Sequence, residues 1–391
     1  MGGIRTGKKK KEKYKFTVMD YITIGFTAAV VLLMIFFLVR SLKPEWFTKK
    51  NKSGGSTNTV VTAAPTDNSG SVTPTEAPEY SGIGNGYGNM ANGAVAAEID
   101  SLTYFVRDDG QLAVKSESGG EARALTAGES GLTSVNVIKD PFAYTDIADS
   151  VAYLVTYINA DGRICGITDG PYPDPNSDAE LDSEPRAAEA RTLAEGNYVS
   201  FTSVGQYFYA IDSDGLIWRI AIATGEKAAL SSGRYSALCV YYGELFALGE
   251  GGVYRMALTP AAQSETDEGT DTASENEPII AGQFTCFTVF DDWIYVGGES
   301  GLVRYDVDTL GKDSLSSTVR PVAVNVDKRG IFYAAGGELK LATAKELLTG
   351  SGRTLGTWDN AGTPRITLTS DNALVSITNT KVNEKILTFE I

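Results

Sequence analysis

The 391-residue chain has no histidine. Imidazole is the commonest general base and a leading metal ligand near neutral pH. A Ser-His-Asp triad, a Cys-His nucleophile pair and a His-ligated zinc site are therefore excluded. Cysteine is scarce: Cys165, Cys239 and Cys286 lie in "RICGI", "ALCVY" and "FTCFT". Three thiols close at most one disulfide, which excludes a disulfide-stapled scaffold. Their apolar, strand-like surroundings read as buried thiols acting as small hydrophobes. Neither G-x-S-x-G nor S-x-x-K occurs, so two further nucleophile signatures are missing. Basic residues are sparse beyond the N-terminus. Residues 1–52 carry 12 Lys/Arg and 3 Asp/Glu, leaving 22 basic and 46 acidic residues over 53–391, a net charge of -24. Phosphate binding needs clustered Lys/Arg, so nucleic acid is not an expected partner, and the acidity reads as a solubility device.

Long apolar runs are absent with one exception. Residues 21–39, "YITIGFTAAVVLLMIFFLV", form 19 residues without a charge. As a helix this run spans about 28 Å, close to the hydrocarbon thickness of a bilayer. It is longer than a signal-peptide core, and "RSLKPEWF" follows in place of a small-residue cleavage site. The expectation is an uncleaved single-pass anchor. Seven Lys/Arg precede it and five follow by Lys52. Positive-inside counting puts residues 1–20, a basic tail, in the cytoplasm and the remainder outside the cell.

Periodicity is then lost. Residues 40–93 are rich in Ser, Thr, Gly, Pro and Asn, a composition that cannot bury enough apolar surface to offset ordering entropy. A flexible linker is expected. Within it, "GIGNGYG" has glycines at 82, 84 and 86, but Tyr87 stands where a dinucleotide fingerprint needs its third glycine, no strand precedes it and no helix is expected to follow.

What is abundant is a repeated unit. "FYAIDSDGLIWRIAIATGEKAAL" reads as strand, Asp214-Gly215 turn, strand, Thr224-Gly225 turn, strand: a meander whose turn residues tolerate positive φ. Similar units begin near Leu102, Val151, Gly243, Asp291 and Arg329, and another ends the chain. Aligning Tyr104, Tyr153, Tyr207, Leu245, Ile294, Phe332 and Leu374 gives spacings of 49, 54, 38, 49, 38 and 42. Two polar runs, residues 169–186 and 259–278, account for much of the excess. They read as tolerated insertions between blades, projecting from one rim. A period near 40 with about four short strands per unit indicates a β-propeller. The fold class expected is all-β: a seven-bladed propeller over 94–391, with six or eight blades as alternatives, preceded by one membrane helix and a disordered linker. Ring closure needs a terminal strand, and "AVAAEID" (residues 94–100) is expected to pair with the blade holding "KILTFEI".

The repeated unit resembles the repeats of bacterial propeller domains of unknown function (the domain of unknown function 5050 group). These are related to low-density lipoprotein receptor-type propellers. It is also similar to quinoprotein-like outer-membrane assembly propellers. The resemblance covers roughly 94–391 and implies a fold, not an activity. No YWTD tetrapeptide is present, "DDWIYVGG" being the nearest run, and the sialidase Asp-box spacing is missed.

No catalytic, cofactor-binding or metal-ligating residue is singled out. Asp108-Asp109-Gly110, Asp161-Gly162 and Asp212-Ser213-Asp214-Gly215 superficially match calcium loops. Their glycines fall at hairpin positions with a strand following at once, and turn chemistry explains them. The functional expectation is a non-catalytic, membrane-anchored module outside the cytoplasm that binds or scaffolds an envelope protein or a cell-wall polymer. The alternative is a polysaccharide hydrolase or lyase using carboxylates in the funnel, with Asp291-Asp292 and Asp306/Asp308 as available pairs. A third reading has the basic tail recruiting a signalling partner.

Overall fold

The computed structural model describes residues 86–117, 119–126, 129, 131–140, 150–174, 184–258, 277–359, 362–378 and 385–391. The expected basic tail, membrane span and most of the linker lie outside the described residues. Among the described residues no helix is long and apolar enough to cross a membrane.

Seven antiparallel sheets follow one another along the chain, each with its strands paired in chain order apart from one branch in the second. Among the described residues five have four strands, the second has five, and the seventh has three. The seven innermost strands are Ala96–Ile99, Thr133–Lys139, Tyr198–Val204, Tyr235–Tyr241, Cys286–Phe290, Ala323–Asp327 and Thr363–Leu368. From blade 1 to blade 7, each of these packs beside the innermost strand of the next blade. The chain is an all-β, seven-bladed propeller. All seven residues aligned by the repeat spacing fall in the second strand of their blades.

The third blade shows how sequence becomes meander. Its strands Tyr207–Asp212, Ile217–Ala221 and Lys227–Ala229 match the expected ones to within a residue or two at each end. Asp212 Oδ1 accepts the amides of Asp214 and Leu216 at 3.0 and 2.9 Å, and Trp218 Nε1 donates to Oδ2 at 2.7 Å. Gly215 takes φ +85°, which its missing Cβ permits. The Asp-Gly signature therefore serves a turn. Among the described residues no cluster of three or more metal-ligating side chains occurs.

A propeller sheet has two faces and buries both against neighbouring blades. The core accordingly lies between blades. Phe201, Phe208 and Ile220 pack with Leu154 and Ile164 between blades 2 and 3. Leu238, Leu245 and Ile211 fill the gap between blades 3 and 4, and Phe332, Ile366 and Val375 that between 6 and 7.

Three expectations need correction. Residues 94–100 do not complete the last blade. Ala96–Ile99 pairs with Leu102–Val106 as the innermost strand of blade 1, while Lys385–Glu390 pairs with Asn372–Thr378 in blade 7. All four residues of Ala96–Ile99 are buried, as expected of an innermost strand. Next, the insertion expected at 169–186 starts later. Ile164–Pro173 is one continuous strand, and Asp169 within it is fully buried. Both polar runs also fall inside a blade, between its third strand and its outer edge, not between blades. Finally, residues 86–93, the end of the expected linker, are built into the ring, and a one-turn helix, Tyr87–Ala91, forms where none was expected to follow "GIGNGYG".

Candidate functional site

In an antiparallel blade the first and third turns lie on one rim, and the second turn and the link to the next blade lie on the other. Helix α2 (Ala344–Leu348), which follows the third strand of blade 6, therefore lies on the first rim. Helix α2 is fixed there by a capping box between Thr343 and Glu346.

Part of the chain packs inside the ring, against the innermost strands. Helix α1 (Tyr87–Ala91) is a single turn with Gly88, Asn89, Met90 and Ala91 buried. It packs against the innermost strands of blades 4, 5, 6 and 7. Asn89 donates from Nδ2 to Leu368 O at 2.8 Å, and its Oδ1 accepts from Leu368 N at 2.8 Å and Asn325 Nδ2 at 2.7 Å. Asn92 lies deeper, donating to Val324 O at 2.8 Å. Thr202 Oγ1 reaches Met90 Sδ from blade 3. The chain thus enters at the first-turn rim, runs inward, reverses at Gly93 (φ +61°) and returns as the innermost strand of blade 1. Gly88 is required by space: a Cβ there would stand 1.9 Å from Asn325 Oδ1 and 2.8 Å from Thr288 Oγ1.

Among the described residues the buried carboxylates are Glu98 and Asp169, and both are engaged at seams between blades. Glu98 accepts from Ser370 N and Oγ at 2.9 Å each, linking blade 1 to blade 7. Asp169 accepts from Arg123 Nη2 at 2.7 Å, Tyr172 OH at 2.7 Å and Tyr104 OH at 3.1 Å, linking blade 2 to blade 1. Burial first, then the adjacent Asp169 carboxylate, holds the Tyr104 phenol far above its ordinary value of 10.0. Cys165, Cys239 and Cys286 are all free and buried, and burial pushes the Cys286 thiol up to about 12.

At the channel mouth on the first-turn rim, Tyr87, Tyr241 and Tyr242 form an aromatic series. The Tyr241 ring is 4.7 Å edge-on from Tyr87 and 4.5 Å from Tyr242. Tyr241 OH accepts from Asp292 N at 2.7 Å and donates to Asp292 Oδ1 at 2.9 Å, tying blade 4 to blade 5. The pair Asp291-Asp292 thus sits on a rim turn, and Asp306 serves its own turn by accepting from Asp308 N and Thr309 N. Sequence reasoning overlooked Asn89, Asn92 and Tyr242. Nothing in the composition of "GYGNMANG" separates it from the linker before it.

No family model matches the chain, and no curated protein matches it. Solved structures show distant similarity. The computationally designed Ika8 protein is 15% identical with a TM-score of 0.39, covering 72% of this chain and 79% of that one. BamB from Moraxella catarrhalis is 13% identical with a TM-score of 0.37, covering 74% and 82%. A chain of the Mitotic Checkpoint Complex is 12% identical with a TM-score of 0.37, covering 88% and 99%. The blade count stands on the sheet topology itself.

Proposed function

We propose that the protein is a non-catalytic binding or scaffold module. Residues 21–39 hold it at the cell membrane, with the N-terminus cytoplasmic and the ring outside the cell, where the ring engages an envelope protein or a cell-wall polymer. The observation that carries this reading is the packing of residues 87–91 inside the ring, against the innermost strands of blades 4 to 7. Chain occupying that side of the channel favours the rims as the surface for a partner, and loops on a rigid scaffold often carry binding. The alternative, carboxylate-based hydrolysis, needs two free carboxyl groups flanking a substrate about 5–10 Å apart. The interior carboxylates Glu98 and Asp169 are both hydrogen-bonded across seams.

The full-length chain, purified in detergent and incubated with solubilised envelope fractions, is expected to enrich a defined protein or polymer over a denatured control. Recovery of nothing enriched, or release of reducing sugar ends from added cell-wall polymer, would overturn the reading. Protease protection in intact cells tests the orientation: residues 1–20 should be protected and the ring accessible.

A further inference from the structure

We propose that the channel mouth on the first-turn rim, formed by Tyr87, Tyr241, Tyr242, Asp291 and Asp292, binds a cationic side chain presented by an extended basic segment of a partner. This rests on the binding-module reading and specifies its site and ligand chemistry. The first observation is strain. Tyr242 adopts φ +45° at a two-residue turn closed by Gly243. That conformation is comfortable for Gly, Asn or Asp and costly for a bulky side chain. The tight turn itself demands this φ, so the notable feature is a tyrosine where Asn or Asp would sit more easily.

The second observation is exposure. Tyr242 is 78% exposed, the most exposed large hydrophobic residue among those described. Its ring is propped edge-on by Tyr241, so a ring face remains open to solvent. The third is charge. Asp291 and Asp292, on the neighbouring turn, are also held at positive φ (+48° and +61°) and are exposed. Tyr241 OH anchors Asp292, while Asp291 has no ion-pair partner among the described residues. An exposed aromatic ring, linked through Tyr241 to the exposed Asp292 turn, fits a guanidinium or ammonium group, attracted by the ring quadrupole and the carboxylates together. The same blade already shows this chemistry internally, with the Arg304 guanidinium of its third strand 4.0 Å over the Trp293 ring of its second. The net charge of -24 over residues 53–391 favours a basic partner and speeds its encounter.

The test uses the full-length chain in detergent, a fluorescent hexa-arginine peptide as probe, and chitohexaose as an uncharged competitor. Tyr242→Asn suits the turn better than tyrosine and should leave the fold intact. Its peptide affinity is expected to fall about fourfold, in line with a cation–π contact at an exposed site. Asp291→Asn should weaken binding by a smaller factor. Asp214→Asn, on the opposite rim, should leave it unchanged. Equal affinity for wild type and Tyr242→Asn would overturn the proposal, as would Tyr242-dependent binding of chitohexaose without binding of the peptide. If Tyr242→Asn still recovers the same envelope partner as wild type, this site falls and the binding-module reading stands. If wild type recovers no partner, that reading falls, while the peptide titration still decides the site.

Discussion

The seam between blades 1 and 2 and the seam between blades 7 and 1 are built differently. The first is a deep joint. Tyr104, Tyr153, Val155 and Ile167 share one buried cluster, and the Asp169–Arg123 ion pair with two tyrosine hydroxyls crosses it. The second is shallow. Leu374 and Ile386 of blade 7 reach that cluster only as partly buried side chains, and no residue of Lys385–Glu390 is buried. Polar contacts replace the missing apolar ones: Glu98 to Ser370, and Val95 N to Thr367 Oγ1 at 3.0 Å. Helix α1 adds a further clamp on blades 6 and 7 through Asn89 and Asn92. A ring whose last blade has three strands among the described residues is thus closed from the inside, by a segment in the channel.

The comparison is broken most severely at the clamp. Gly88→Ala forces a methyl group onto Asn325, and a cost of roughly 3–5 kcal/mol is expected from overpacking plus stranded buried hydrogen-bonding groups. Urea unfolding of the full chain would measure it; a change below about 1 kcal/mol would show that the clamp carries little. The deep seam comes next. Asp169→Asn removes the charge facing Arg123, whose side chain is 35% exposed and able to rehydrate. A loss of about 2–3 kcal/mol is expected, below the full penalty for breaking a buried pair.

Alkaline pH probes the same seam without mutation. The phenols of Tyr104, Tyr153 and Tyr172 are all held above their ordinary 10.0, by burial first and by carboxylate partners second. A raised folded-state value means that the native state keeps protons the unfolded chain releases above pH 10. Stability from these groups is therefore complete below pH 10 and lost above it, by up to about 1.4 kcal/mol per group per pH unit. Chemical denaturation between pH 8 and 11.5 should be flat first and fall afterwards. At the shallow seam Glu98→Gln keeps an acceptor oxygen for Ser370 and is expected to cost about 1 kcal/mol. A larger cost than that of Asp169→Asn would reverse the ranking of the two seams. The smallest effect concerns the thiols. Buried Cys165, Cys239 and Cys286 should resist DTNB in the native protein and all react in guanidinium chloride.

The blades were legible because each repeats the same local physics. An aromatic second strand, an Asp-Gly or Gly-containing turn and an apolar third strand recur at a spacing that survives the polar insertions. Closure was not legible. "AVAAEID" looks like a strand, but nothing local says which sheet receives it. Its run of small apolar residues was the available signal, since an innermost strand is buried on both faces. Helix α1 was illegible for a stronger reason. "YGNMA" has no apolar stripe and one turn is too short to hold itself together. Its order comes from hydrogen bonds to residues more than 200 positions away. Asp169 was misplaced for a related reason: a buried carboxylate is recognisable only with its partners in view.

Closure from within the channel is tested most directly by native-state hydrogen exchange on residues 92–95 of the full-length chain. Their amides donate to Gly88 O, Met90 O, Asn89 O and Thr367 Oγ1. Protection comparable to that of the innermost strand Ala323–Asp327 is the expected result. Exchange of those four amides within seconds, while the blades stay protected, would contradict it.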